Sequence, residues 1–267
     1  MAYGGYGGGS GGSRRPRRRF QPDQRTIVIV GVAVVLIAYL LSTHKISSAN
    51  IIYFCVLVPS IILHELSHGV VALAFGDDTA KRAGRLTLNP IKHVDPVGTL
   101  LVPAVLSLSG IGAYGWAKPV PVSTNRLRSP RNHTVVVSLV GPITNFVIAA
   151  ILGVVLVWTT PRIELQYIHA YWSGTGFGLQ YPTAFLGEVL FIAGIANIVL
   201  GVFNCIPCPP LDGAAILERF LPSRMLPQYY NLQPFLMFLP FILILMFHGA
   251  WSSLIDHLIV WWEQRLV

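Results

Sequence analysis

Long apolar stretches dominate this sequence and leave it few ways to fold. They cover residues 26–42, 51–75, 134–158 and 184–205. A helix of about 20 apolar residues crosses the hydrocarbon core of a bilayer, and a helix satisfies its own backbone hydrogen bonds there. Each stretch is therefore predicted to be a transmembrane helix.

The C-terminal part of the chain carries two shorter apolar stretches, residues 234–247 and the tryptophan-rich residues 251–262. The whole sequence is 53% hydrophobic and only 11% charged, whereas a soluble domain carries about 25% charged residues. This balance excludes an ordinary soluble protein. We predict an all-α, multi-pass integral membrane protein, built as a polytopic bundle of about six transmembrane helices.

The net charge of +8 is concentrated in an N-terminal tail, residues 1–25. The tail is rich in glycine and contains an arginine cluster formed by Arg14, Arg15, Arg17, Arg18 and Arg19. Such a composition is typical of disordered chain, and positive charge beside a first transmembrane helix favours the cytoplasmic side. We predict a disordered cytoplasmic tail followed by one membrane-embedded domain, residues 26–267, and expect no nucleic-acid partner.

Residues 97–112 form an apolar segment that could either cross the membrane or enter and leave it on the same side. If the N-terminus is cytoplasmic, a full crossing would place a cluster of four basic residues outside, against the positive-inside rule. These residues are Lys118, Arg126, Arg128 and Arg131. We interpret the segment as a small re-entrant region. Residues 64–68 and 204–213 then lie in the cytoplasmic half of the bilayer.

The second apolar stretch contains the sequence His64-Glu65-Leu66-Ser67-His68. On a helix, residues i and i+4 share one face about 5–6 Å apart, so both imidazoles can bind one zinc ion. Glu65 is placed beside the first ligand to take a proton from the attacking water. Histidine and charged side chains are costly inside a bilayer and mark functional sites. The alternative is two neutral, hydrogen-bonded histidines and a protonated glutamate in the bundle interior.

A catalytic zinc ion takes three protein ligands and keeps one position open. Asp212 is the better third candidate, because three prolines break the helix before it and Gly213 follows. Irregular backbone at membrane depth is buried in protein or lines a wet cavity. Asp77 and Asp78 are expected to be exposed near a helix end, and Glu188 enters its helix from the external side. The alternative for Asp212 is an ordinary cytoplasmic turn.

Asn145 places an amide group with two donors and one acceptor inside the third apolar stretch. It follows Gly141 and Pro142, which permit close helix contact and loosen one helical turn. Asn145 therefore either lines a site or makes an ordinary hydrogen bond between helices.

Cys205 and Cys208 form a Cys-x-x-Cys pair at the end of the fourth apolar stretch. A four-thiolate zinc site needs a second such pair, and a sequence with three cysteines contains none. We interpret both residues as apolar packing. The alternatives are a redox pair or half of a zinc site.

Three motifs carry a family resemblance, in the order HELSHG, GPITN and NCIPCPPLDG. Together they resemble the site-2 protease family of intramembrane zinc metalloproteases. The segments GRLTLNPIKHVDPVGT and WAKPVPV are similar to its compact subgroup, which lacks PDZ or CBS domains. The resemblance covers residues 51–220, and it departs from the family at Cys205 and Cys208, where aliphatic residues are usual.

The resemblance implies roles for individual residues: zinc ligands His64, His68 and Asp212, catalytic residue Glu65, and site-lining residues Asn145 and Asn204. It implies one catalytic zinc ion, and membrane-embedded strands within residues 84–121 that present substrate. The implied activity is hydrolysis of peptide bonds within or near transmembrane segments of membrane-protein substrates, in regulated intramembrane proteolysis. We expect the lipid bilayer and a substrate with a transmembrane helix as partners, and a prokaryotic cell membrane as the location. The oligomeric state stays unknown.

Two other functions could use the same residues. A zinc transporter or metal sensor could use His64, His68 and Asp212 as a transit site, but it predicts more polar residues along the remaining helices. A non-catalytic scaffold predicts a degenerate site, whereas all the expected ligands are present. The sequence therefore favours an enzyme.

Overall fold

A computed structural model describes residues 24–42, 48–101, 117–164 and 185–236, together with positions 239, 242, 246, 249, 253, 257, 260 and 261. Within these residues the chain is helical and contains no strand. The prediction of an all-α architecture is confirmed at this level. The arginine cluster of the tail lies outside the described residues.

Seven α-helices are described, which we number α1 (Gln24–Ser42), α2 (Ser48–Ala74), α3 (Thr79–Arg82), α4 (Pro130–Thr159), α5 (Phe185–Asn204), α6 (Ala214–Phe220) and α7 (Leu226–Leu236). Short 3-10 turns cover Pro90–Lys92 and Thr124–Arg126, and a π-helical turn covers Pro96–Leu101 and packs against α1.

Three of these helices contain segments long and apolar enough to cross a membrane: Cys55–Ala74, Pro130–Thr159 and Phe185–Asn204. They agree with three of the predicted apolar stretches. A total of six transmembrane helices stays a prediction. The re-entrant region also stays a prediction, because residues 102–116 lie outside the described residues. The described parts of the predicted strand region, residues 84–101 and 117–121, contain turns and short helices instead of strands.

The ends of the long helices follow from local chemistry. Gly76 ends the turn after α2 with φ of 105°, in the left-handed region that glycine adopts without a Cβ penalty. Pro130 opens α4 at a position where the missing N–H would have no partner within the helix. Arg131, in the first turn of α4, donates to the carbonyl oxygens of Arg219 (3.1 Å) and Leu221 (2.8 Å). The end of α6 is therefore tied to the start of α4.

α2, α4 and α5 pack against one another and form the central bundle. One apolar core lies between α4 and α5 and contains Ala149, Leu156, Phe191 and Ile198. Glycine allows the close approach, since a Cβ on Gly201 would lie 2.6 Å from the Phe146 ring. The outer side of α4 exposes a row of large apolar side chains, Val147, Ile151 and Val154. Such a surface suits lipid rather than water.

Candidate metal centre

His64 and His68 lie one turn apart on α2 and face the bundle interior, as their spacing predicts. Both side chains are buried. Their ring centroids are 4.7 Å apart and the rings are nearly perpendicular, at 85°. The two Nε2 atoms approach to 3.1 Å. The helix therefore delivers two imidazole nitrogens to a single point.

Asp212 reaches the same point from the irregular turn between α5 and α6. Its Oδ2 atom lies 2.9 Å from His64 Nε2 and 3.3 Å from His68 Nε2. Gly213 closes the turn by donating its backbone N–H to the carbonyl oxygen of Asn204 (2.7 Å). A Cβ on Gly213 would overlap the carbonyl oxygens of Cys205 and Ile206, so this tight turn requires glycine.

The other ring nitrogen of each histidine is fixed by a hydrogen bond. His64 Nδ1 donates to the amide oxygen of Asn145 (2.7 Å), and His68 Nδ1 donates to the backbone carbonyl of Val137 (2.6 Å). Both partners lie on α4, and both are acceptors, so the proton of each neutral ring is on Nδ1. Each Nε2 then presents a lone pair to the site, as in metal-binding histidines with an oriented outer partner.

Three electron-pair donor atoms without protons thus converge: His64 Nε2, His68 Nε2 and Asp212 Oδ2. In the described part of the chain, no lysine or arginine forms an ion pair with Asp212. Asp212 Oδ2 is buried and accepts no hydrogen bond in the described part of the chain. A zinc ion bound at about 2.0–2.1 Å in tetrahedral geometry keeps its ligand atoms about 3.3 Å apart. The observed separations of 2.9, 3.1 and 3.3 Å are close to this value. Two imidazoles and one carboxylate are also a donor set that zinc accepts, so the residues fit the metal.

Glu65 follows His64 on α2 and is half-buried. The group of potential metal ligands in the described residues contains His64, His68 and Asp212, and Glu65 is outside it. Its Oε2 atom instead accepts the backbone N–H of Val120 (2.7 Å). The carboxylate is therefore held beside the candidate metal position by a backbone donor.

The remaining predicted residues occupy different positions. Asn145 is fully buried beside His64. Asn204 donates its side-chain amide to the carbonyl oxygen of Leu200 (3.0 Å) and supports the Gly213 turn through its backbone. Cys205 and Cys208 are free thiols, and Cys208 is buried.

Asp77 was expected to be exposed, and this prediction is wrong. It is 1% exposed, because its carboxylate accepts the backbone N–H of Ser123 (2.6 Å) and a hydrogen bond from the Thr79 hydroxyl. Burial works to raise the pKa of Asp77, but the hydrogen bonds from Thr79 and Ser123 outweigh it and lower the pKa below 3.8. Asp78 is more exposed and forms ion pairs with Arg82 and Arg126. Neither aspartate belongs to the metal centre.

A second polar contact between helices was not predicted from the sequence. Asn197 on α5 is fully buried and donates to Ser60 Oγ (2.9 Å) and to the carbonyl oxygen of Ala193 (2.8 Å). Ser60 lies one turn before His64 on α2. An asparagine inside an apolar helix was the signal that could have indicated this contact.

The fold and the site together define a class of protein: a helical membrane protein with a candidate metal centre of two buried histidines and one carboxylate. The model of peptidase family M50 matches residues 52–247. The chain belongs to peptidase family M50. The resemblance to the site-2 protease family is thereby confirmed.

Several curated proteins are similar to this chain. "Putative zinc metalloprotease YwhC" of Bacillus subtilis is 42% identical over 169 residues, which are 62% of this chain and 67% of that protein. "Putative zinc metalloprotease Rip2" of Mycolicibacterium smegmatis is 33% identical over 165 residues, 61% of this chain and 54% of that protein. "Zinc metalloprotease MJ0392" of Methanocaldococcus jannaschii is 25% identical over 203 residues, 76% of this chain and 43% of that protein. The chain thus spans about half the length of the Rip2 and MJ0392 proteins. No solved structure matches the chain significantly.

Proposed function

We propose that this membrane protein is an intramembrane zinc metalloprotease, which hydrolyses peptide bonds within or near transmembrane segments of membrane-protein substrates. The observation that carries the proposal is the convergence of His64 Nε2, His68 Nε2 and Asp212 Oδ2 beside Glu65. The relatives named as zinc metalloproteases support both the metal and the reaction.

Each residue of the site has a role in this reaction. His64, His68 and Asp212 hold the zinc ion, while Asn145 and the Val137 carbonyl keep the imidazoles from rotating. When bound, zinc supplies Lewis acidity toward water and toward a peptide carbonyl. Glu65 acts as the general base, with Oε2 held by Val120 and Oε1 available to take a proton from water. It then returns this proton to the leaving amine.

The setting of the site supports a substrate that also lies in the membrane. The ligands come from α2 and from the turn after α5, and both helices are apolar enough to cross a bilayer. A substrate helix must unwind locally, because its peptide groups are otherwise hydrogen-bonded within the helix. We further propose that the site lies in the cytoplasmic half of a prokaryotic cell membrane and acts in regulated intramembrane proteolysis. The N-terminal arginine cluster supports this orientation.

The proposal is tested by comparing membrane fractions from cells that express wild type, Glu65→Gln or the control Glu188→Gln. Glu188 is a second carboxylate on an apolar helix, in the first turn of α5, away from the ligand group. Labelling of new protein termini is expected to reveal cleavage within apolar segments for wild type and Glu188→Gln, and none for Glu65→Gln. Purified Glu65→Gln should retain its zinc. Cleavage by Glu65→Gln at the wild-type rate would refute the general-base role.

A zinc transporter remains the competing function, and the same variants separate the two. Transport needs a polar path across the bundle. Near the site, Asn145 is bonded to His64 and Asn197 to Ser60, and in the described part of the chain these two asparagines add two unpartnered buried atoms, Asn145 Nδ2 and Asn197 Oδ1. A transporter would be favoured by two results together: zinc uptake into liposomes that contain Glu65→Gln at the wild-type rate, and no cleavage by wild type.

A further inference from the structure

A short connecting segment, residues 117–123, runs across α2 beside the metal centre. We call it the strap. It contains Pro119 and Pro121, which fix the backbone angle φ and bias the residue before each of them toward extended conformation. The strap therefore forms neither helix nor strand. Its backbone N–H and C=O groups need partners elsewhere, and it finds them on α2 and in the residues that follow α2.

The centre of the strap touches the proposed general base. Val120 is buried, and its N–H donates to Glu65 Oε2 at 2.7 Å. One turn further along α2, Gly69 makes room for this approach, since a Cβ there would lie 2.5 Å from Leu86 and 3.0 Å from Val120. The strap and Glu65 thus form one packed unit.

Charged side chains fix the strap on both sides of Val120. Before it, the Arg85 guanidinium donates to the carbonyl oxygens of Lys118 (2.6 Å) and Pro119 (3.2 Å). After it, the Asp77 carboxylate accepts the N–H of Ser123 (2.6 Å). The two anchors come from the chain directly after α2, so they hold the strap against the helix that carries Glu65.

Arg85 is an unusual residue for a loop contact, because its charged side chain is buried. Its side chain is buried, it forms no ion pair in the described part of the chain, and its Nε has no hydrogen-bond partner there. Burying a guanidinium without a carboxylate costs free energy. The contacts of this buried guanidinium are the carbonyl oxygens of Lys118 and Pro119, so its effect is to fix the position of these two carbonyls.

We propose that Arg85 is a positioning residue for proteolysis: together with Asp77 it holds the strap, and the strap orients the Glu65 carboxylate through the N–H of Val120. This inference rests on the proposed function. A glutamate side chain has several rotatable bonds, and one fixed oxygen leaves the other directed at the water to be activated. A misplacement of about 1 Å at a catalytic group lowers the rate by about 100-fold.

A purely structural role for Arg85 predicts a different result. In that case its loss lowers protein stability or zinc content, and the rate per zinc-loaded molecule stays the same. A positioning role lowers kcat while KM, zinc content and thermal stability stay near wild type. The two roles therefore differ in a measurement that does not depend on expression level.

The test uses purified full-length protein in detergent and, as reporter, a transmembrane segment that wild type cleaves in the comparison of membrane fractions. The variants are Arg85→Gln, Arg85→Lys and the control Arg82→Gln. Arg82 is exposed, lies three residues earlier and pairs with Asp78 rather than with the strap. Arg85→Gln is expected to lower kcat about tenfold or more, equivalent to about 1.4 kcal/mol. Arg85→Lys should restore part of the loss, and Arg82→Gln should match wild type.

Two further readouts connect the effect to Glu65. Hydrogen exchange of the Val120 amide, which is bonded to Glu65, should accelerate in Arg85→Gln and remain slow in Arg82→Gln, whether or not substrate is present. Glu65→Asp withdraws the carboxylate from Val120 by one methylene, so Arg85→Gln should lower kcat far less in a Glu65→Asp background than in wild type. If Arg85→Gln lowers kcat by the same factor in the wild-type and Glu65→Asp backgrounds, Arg85 does not act through Glu65.

The outcomes distinguish this inference from the proposed function. Cleavage by Arg85→Gln at the wild-type kcat overturns the positioning role and leaves the proposed protease function unaffected. Loss of zinc or of thermal stability that accounts for the whole defect also overturns it. Absence of any Glu65-dependent cleavage by wild type refutes the proposed function, and the positioning role with it.

Discussion

Gly141 on α4 faces both histidines of the metal centre and leaves no room for a side chain. A Cβ at this position would lie 2.5 Å from His68 Cε1 and Nε2, and 2.6 Å from His64 Cε1. Carbon atoms in contact are about 3.5–4.0 Å apart. Gly141→Ala must therefore push one or both rings away by about 1 Å, or push α4 away from α2.

A displacement of this size is large for a metal site. Ligand distances are defined to about 0.2 Å, and loss of an outer partner of a ligand alone costs about 10- to 100-fold in metal affinity. The helix has little freedom to yield, since Pro142, Asn145 and Ala149 on the same helix are buried. We expect Gly141→Ala to weaken zinc binding by about 100-fold or more, equivalent to about 2.7 kcal/mol.

The assay is competition between purified protein and a zinc chelator of known affinity, with bound zinc measured by mass spectrometry. Gly201→Ala is the matched control, because its methyl group would also overlap a ring, that of Phe146 at 2.6 Å. Phe146 is 38% exposed and can rotate away, so this variant should keep its zinc. Gly141→Ala with zinc affinity within a factor of two of wild type would contradict the geometry of the site.

Three further predictions concern polar groups around the site. Asn145→Ala removes the acceptor of His64 Nδ1 and should lower zinc affinity about 10- to 100-fold in the same competition assay. Asn197→Ala leaves the Ser60 hydroxyl without its donor, and should lower the free energy of unfolding by about 1–3 kcal/mol in denaturant titrations without changing zinc content. Asp77 has a lowered pKa when folded, so its stabilising effect is present above pH 3.8 and is lost as the pH falls through the lowered value. The difference in thermal stability between wild type and Asp77→Ala should accordingly be full at pH 7 and disappear in strong acid. A difference that persists in strong acid would show that the stabilising effect of Asp77 does not depend on its ionised form.

The long helices and the two candidate histidine ligands were predictable from sequence because their signals are local. Apolar runs of sufficient length have few alternatives to a membrane helix, and the i,i+4 spacing of His64 and His68 places both on one face of any helix. Asp212 needed a further step, since only the proline break before it and Gly213 after it indicated an irregular turn.

The parts that were not predictable depend on backbone groups or on tertiary contacts. The Val137 carbonyl and the Val120 N–H are backbone groups. Almost every residue carries such groups, so the residue type does not indicate which of them contact the site. Asp77 looked exposed because it is charged, and only its donors from Thr79 and Ser123 make its burial acceptable.

The predicted strand region shows the same limit. The described residues 84–101 contain Pro90 and Pro96, which cannot donate to a ladder of strand hydrogen bonds. Each of them begins a short helical turn instead. Family resemblance suggested strands there, whereas local chemistry favoured turns.

The ligands of the metal centre come from parts of the chain that are made at different times. His64 and His68 leave the ribosome early, and Asp212 follows only after α4 and α5 have been synthesised. At about 5–20 residues per second, this interval lasts about 7 to 30 seconds. During it the nascent chain holds two ligands and the general base but no complete centre. Under the proposed function, the chain therefore becomes able to cut neighbouring helices, including its own, only after Asp212 has reached the membrane.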